Sequence, residues 1–282
     1  MSLLVSVLVV LAAMAVGALV MVVVARRSPE GSLADRTPTN VYAVTGGAIS
    51  LLIAFTFAAA FGMYTNVQNS LRTEAAQVLA MYRATTFMAD PLRSQLRNDV
   101  RCYAQLVSTV EWQALSNGTL SLTGPVEDTI MSMDNRIGSP EGVKQAGVAL
   151  SSFETANDAM MAARIQRVAS AEWGVPPIVY AMIILGAVIT IGSLFVFADR
   201  TKPAWGHALV IIGPIFIVAA GLMVTFFFDN PFTTSPGGVT PEPMVMTSEY
   251  ITSDLARQGI TAKPNCERPL VNLTVPQPAS SG

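Results

Sequence analysis

Charge is what this sequence has least of. Asp, Glu, Lys and Arg make up 13% of its 282 residues, about half the share in an average soluble domain. A chain so poor in charge does not keep its whole surface wet. The net charge of −2 comes with no basic stripe, which excludes nucleic acid as a partner. Two cysteines and one histidine are too few for most metal sites, which need three or four such ligands or a carboxylate cluster. Neither a metal nor a cofactor is expected. No glycine-rich phosphate loop follows a strand, and HExxH, CxxC and GxSxG are all missing. No catalytic constellation remains, so the chain is not expected to be an enzyme.

What is present are four uncharged runs, 3–25, 41–63, 175–198 and 207–228. Each is long enough to cross a bilayer, for which about 20 apolar residues suffice. The first run ends in Arg26-Arg27 and has no positive segment before it. This is the reverse of a cleavable signal, so a retained helix with a cytoplasmic end is expected. None of the four carries Asp, Glu, Lys or Arg in its central span. That argues against a proton- or ion-coupled transporter, which needs ionisable groups at depth. A channel is less affected, because a pore can gate through a hydrophobic constriction and select through neutral groups.

The stretch Val41 to Ala89 organises the rest. Its apolar half, 41–63, runs without Pro or Gly after Met63 into an amphipathic half where Val67, Leu71, Ala75, Val78 and Tyr82 recur at helical spacing. One continuous helix of roughly 73 Å is expected at ~1.5 Å per residue. Asp90-Pro91 then reads as an N-cap followed by Pro in the first helical position. An apolar stripe from Leu92 to Ala114 follows, then a shorter helix over about 125–136 and a long one from Pro140 toward Trp173. No run with β-strand period appears, so residues 64–173 read as an extramembrane helical bundle between the second and third spans. Pro176-Pro177 falls in the first turn of the third span, where missing N–H groups do least harm. The tail, 229–282, is rich in Pro, Thr and Ser and largely irregular, with one short helix near 244–258. The fold class is thus all-α: four transmembrane helices and an inserted bundle.

Two short loops concentrate Arg26, Arg27, Arg36, Arg200 and Lys202. By the positive-inside rule they are cytoplasmic, and the insert and tail are extracytoplasmic. Cys102 in the insert and Cys266 in the tail then share one side of the membrane. Two readings stand, a disulfide pinning tail to bundle or two unpaired thiols. Phe57 and Phe61 lie one helical turn apart. They are candidates for stacked constriction rings in an oligomer, with ordinary lipid-facing or bundle packing as the alternative. Gly46-Gly47 and Gly213-Pro214 are candidates for close helix packing or a hinge. Glu74, just beyond the second span, is a candidate ion-pair partner for Arg164 or Arg167 on the returning helix.

Several blocks resemble one family. FTFAAAFGMY at the end of helix two, LRTEAAQV with Glu74-Ala75, the segment from Arg101 to Tyr103, and Asp229-Asn-Pro-Phe232 are similar to the bacterial bestrophin-like domain family of four-helix membrane proteins. The likeness covers about residues 3–245. It implies, by analogy with bestrophins proper, an oligomeric ion channel in the cell membrane. The partners expected are the lipid bilayer and further copies of the chain or other membrane proteins. The competing class is a non-catalytic scaffold or assembly partner in the bacterial cell envelope, docking through bundle and tail.

Overall fold

The computed structural model describes residues 40–119, 124–172, 174–196, 204–233, 237–261, 264 and 266. The expected first span, 3–25, the short loops with Arg26, Arg27, Arg36, Arg200 and Lys202, Trp173 and the end of the tail lie outside them. Within the described residues the chain is helical and contains no strand. In order come α1 (Asn40–Ala84), α2 (Leu92–Leu106), α3 (Trp112–Ser116), α4 (Pro125–Gly138), α5 (Pro140–Ala146), α6 (Leu150–Glu172), α7 (Pro177–Val196), α8 (Ala204–Phe228) and α9 (Glu242–Arg257). One helix, Gly46–Phe87, is long and apolar enough to cross a membrane; Pro177–Ile191 and Ile212–Phe228 are shorter apolar stretches.

The chain divides into two compact units. One comprises Met1–Asn69 and Gln166–Val239, the other Ser70–Ile165 and Thr240–Gly282. The helix α1 belongs to both and shows no break at Met63 to Asn66. It ends at Ala84 rather than Ala89, in a 3₁₀ turn over Thr85–Phe87. Thr85 initiates that turn by donating its hydroxyl to the Tyr82 carbonyl at 2.6 Å.

In the first unit two threonines on apolar helices close on their own backbone. Thr56 donates to the Leu52 carbonyl and Thr225 to the Gly221 carbonyl, both at 2.8 Å and one turn back. A hydroxyl closed on its own helix needs no partner from elsewhere. Pro214 sits inside α8, where it removes one backbone hydrogen bond.

The second unit has an apolar core. Leu71, Val78, Met81, Leu96, Val100, Tyr103, Val107, Met133, Phe153, Met160, Met244 and Ile251 are all buried. Its local signals differ from expectation in two places. Asp90 does not cap α2, since Pro91 itself takes the cap position. The Asp90 carboxylate pairs with Arg93 instead, while Gln145 accepts the Leu92 N–H at 3.0 Å on its side chain and the Ala89 N–H at 2.9 Å on its carbonyl. The long helix expected from Pro140 is also interrupted, by a 3₁₀ turn over Gly147–Ala149. Gly147 has φ 52° and ψ −129°, a conformation that side-chain-bearing residues avoid. Between α4 and α5, Ser139 accepts the Gly142 N–H at 2.9 Å. A Cβ on Gly142 would stand 1.8 Å from the Arg136 carbonyl oxygen, so only glycine fits this turn.

Candidate functional site

The first unit is built on glycine notches and an aromatic cluster. A Cβ at Gly186 would meet Ile49 at 3.3 Å, and one at Gly221 would meet Ile53 at 2.9 Å. Ile49 and Ile53 are one turn apart on α1, so α7 and α8 each receive one of its side chains. Cβ positions at Gly46, Gly47 and Gly213, also candidates from the sequence, have nothing within 4 Å among the described residues. Close approach goes where a β-branched side chain faces the notch, which a single sequence does not reveal.

Phe57 and Phe61 stack with centroids 6.0 Å apart. Phe228, at the end of α8, meets both edge-on, at 5.7 and 5.2 Å, and also meets Tyr64 at 5.1 Å. The Tyr64 hydroxyl donates to the Gly237 carbonyl at 2.8 Å and accepts from Gln68 at 3.0 Å. The two constriction candidates therefore pack against a ring of their own chain, although Phe61 keeps 44% of its surface exposed.

The Asp229-Asn-Pro-Phe232 block closes this unit. Asp229 accepts the Val175 N–H at 2.6 Å on one oxygen and the Tyr180 hydroxyl at 3.1 Å on the other. An aspartate at the end of α8 thus caps the start of α7, where Pro176 and Pro177 offer no N–H of their own. Gly174 lets the carboxylate in, for a Cβ there would come within 3.2 Å of it. The Val239 N–H donates to the Pro231 carbonyl at 2.8 Å, and Phe232 is buried.

Most of the buried ionisable groups lie in the second unit. Glu74 is fully buried and accepts the Tyr103 hydroxyl at 2.7 Å. Two of the blocks that carry the family resemblance meet in this bond. Arg164, expected as a partner of Glu74, pairs instead with Glu111 at 3.2 Å and Glu127 at 2.8 Å. A π-helical turn over Val107–Glu111 interrupts the helical register and brings Glu111 to the arginine. Burial alone would lower the Arg164 pKa, but the charge of Glu111, with smaller contributions from Glu127 and Tyr103, outweighs it and raises it. Arg167, the other candidate, is fully buried on the same helix but belongs to the first unit. The Arg164 pairs lie in a cleft of about 80 Å³ walled by Val110, Ala114, Pro125 and Val126. A further buried carboxylate, Asp99, pairs with Arg136 at 2.9 Å.

The tail is fastened to this unit at three points. Cys102 and Cys266 are joined by a disulfide with Cα atoms 5.3 Å apart. Tyr82 donates to Asp254 at 2.7 Å, and Arg97 donates to Gln258 at 2.7 Å while standing 5.4 Å from the Tyr82 ring centre. Burial first, then the hydrogen bond to Asp254, push the Tyr82 pKa to about 12, against a smaller opposing effect of Arg97. Spacing alone identified neither Arg97 nor Asp254 as a partner, because they lie more than 150 residues apart. No group of three or more His, Cys, Asp or Glu able to hold a metal ion occurs among the described residues. The arrangement provides rigid polar locks in one unit and aromatic and glycine contacts in the other.

A family model, the Bestrophin-like domain, matches residues 4–244. No curated protein matches the chain. Among solved structures, one bacterial Bestrophin homolog from Klebsiella pneumoniae, a single-substitution variant, superposes with a TM-score of 0.72 at 12% identity, covering 92% of this chain and 99% of that one. A second variant gives 0.70 at 14% identity, with 88% and 98% covered. A structure described as a membrane protein gives 0.70 at 12% identity, with 88% and 98% covered. At such identities the likeness is one of fold. The α9 helix continues past the end of the family match, and Cys266 lies wholly beyond it.

Proposed function

This chain belongs to the Bestrophin-like domain family, and from that we propose that it is a homo-oligomeric, multi-pass membrane protein that conducts ions without enzymatic chemistry. The observation that carries this reading is the likeness of fold to bacterial bestrophin homologues over 92% of the chain. Fold alone does not dictate function; the local features agree with the proposal. The helix α1 continues past its apolar stretch without a break, and the Thr56 hydroxyl within that stretch is closed on its own backbone. The four-span topology and the cytoplasmic short loops belong to the same proposal. The Cys102–Cys266 disulfide supports an extracytoplasmic insert and tail, because such bonds persist on the oxidising side of a membrane.

The test is ion flux from liposomes containing the purified full-length protein, with its oligomeric state measured in mild detergent. Flux through a protein that runs as an oligomer is the expected result. A strict monomer, or an oligomer without flux for either anions or cations, overturns the channel reading. In the second case a scaffold in the cell envelope, docking through bundle and tail, becomes the better reading.

A further inference from the structure

The tail is attached to the bundle in two ways that differ in kind. The helix α9 docks through Met244, Thr247, Ile251 and Leu255, all buried, and is clamped by Tyr82 on Asp254 and Arg97 on Gln258. After Gln258 the backbone turns at Gly259, with φ 80°, and Gly259, Ile260 and Thr261 are exposed. The Cys102–Cys266 bond lies beyond that exposed stretch. It therefore fastens the end of the chain, while α9 keeps its own contacts whether the bond is closed or open. Such a bond can open without unfolding what it joins.

Its two sulfurs are not equivalent. When a thiolate attacks a disulfide, access to each sulfur and the stability of the departing thiolate decide which one is taken. Cys102 is only 2% exposed, whereas Cys266 is half-buried. An incoming thiolate therefore reaches Cys266 and expels Cys102. Burial alone would make Cys102 a poor leaving group, because an apolar setting raises a thiol's pKa. Asn98, one turn earlier on α2, offsets this: its side-chain N–H donates to Cys102 Sγ at 3.9 Å. A hydrogen bond to an ionised acceptor is stronger than one to a neutral acceptor, so this contact strengthens as Cys102 departs.

We propose that Cys102–Cys266 is a thiol-exchange site for a dithiol reductant, with Cys266 as the attacked sulfur and Cys102 as the leaving group. One thiolate of the dithiol attacks Cys266 Sγ; the bond between the two Sγ atoms breaks, and its electron pair leaves on Cys102 Sγ. The second thiol of the same reductant loses its proton to water and attacks the reductant's sulfur in the mixed disulfide. That step closes the reductant's own disulfide and expels Cys266 as a thiolate. The reductant gives up two electrons, and its two protons pass through water to Cys102 and Cys266. The product keeps α9 docked and releases the chain beyond Gln258. The exchange is independent of ion flux and holds for a channel and a scaffold alike.

The experiment uses the full-length protein in mild detergent without denaturant. Brief treatment with reduced glutathione, stopped by acid and followed by alkylation in denaturant, marks the attacked sulfur. Mass spectrometry is expected to find glutathione on Cys266 and the alkyl group on Cys102, about tenfold or more over the reverse. Dithiothreitol is expected to open the bond in the folded protein and to raise hydrogen exchange over residues 259–266 about tenfold or more, while Glu242–Arg257 exchanges as before. Asn98→Ala should slow opening about fivefold. In a Cys266→Ser background the same change should raise the pH at which Cys102 ionises, which a merely structural role of Asn98 would not do. Glutathione found on Cys102 as often as on Cys266, or a bond that opens only in denaturant, overturns the exchange site. Exchange that rises equally over Glu242–Arg257 overturns the release of the chain end alone, and an unchanged Cys102 titration overturns the part assigned to Asn98.

Discussion

The two units of this protein are held by opposite means. The second is locked by polar groups taken out of water: Glu74 with Tyr103, Arg164 with Glu111 and Glu127, Asp99 with Arg136, and a disulfide at the tail. The first has side chains set into glycine notches and a cluster of rings, with Asp229 as a carboxylate lock. On the proposed topology, the difference follows from the solvent each unit meets. Burying apolar surface drives folding in water, where buried charges must find partners. Among lipid tails, which are as apolar as leucine, helices associate by fit and by small residues. Removing one charge should therefore damage the second unit far more than removing one contact damages the first.

The largest expected effect comes from Arg164→Ala, which takes the guanidinium from two carboxylates at once. Truncating one partner of a buried pair costs about 3–5 kcal/mol, because the other charge stays behind. Thermal unfolding of the detergent-solubilised protein should show this loss, and Arg164→Met, Glu111→Met together should recover much of it. A single-variant loss below about 1 kcal/mol would place Arg164 among surface pairs and erase the contrast between the units.

Glycines give the next comparison. Gly142→Ala should cost about 3 kcal/mol, since its Cβ meets a backbone carbonyl, which cannot rotate away. Gly221→Ala should cost about 1 kcal/mol, because the Ile53 methyl it meets branches from Cβ and moves only with χ1. Gly46→Ala meets nothing and should stabilise by up to about 1 kcal/mol through helix propensity. Melting temperatures in that order sharpen the comparison; a destabilising Gly46→Ala would mean that another copy of the chain occupies the space.

Much of the architecture was legible because helical periodicity is a local property. The helix α1, the bundle helix beginning at Pro125 and the tail helix over Glu242–Arg257 all follow from spacing and from Pro placement. Partner choice was not legible. Glu74 was expected to pair with Arg164 or Arg167; the bond it accepts from Tyr103 depends on how two helices are turned. Arg164 goes to Glu111 because of a π turn, and no residue pattern in Val107–Glu111 announces one. Phe57 and Phe61 stood out for their one-turn spacing, which every residue pair along a helix face shares; their packing against Phe228, more than 160 residues on, was not legible in it.

The smallest expected effect concerns the tail clamp and pH. Tyr82 titrates near 12 rather than at its ordinary 10.0, so the folded state holds this proton more tightly than the unfolded chain. Its contribution to stability is complete below pH 10 and is lost as pH rises through about 12, where the unfolded state has already released the proton. The Asp254 carboxylate can accept the hydroxyl but repels the phenolate. Tyr82→Phe keeps the ring under Arg97 and removes the titration. The variant should therefore lose less stability than the wild type between pH 10 and 12, read by hydrogen exchange over Glu242–Arg257 in the oxidised protein. Equal losses in both would show that the disulfide alone holds α9 in place, and that the polar lock at Tyr82 adds nothing to it.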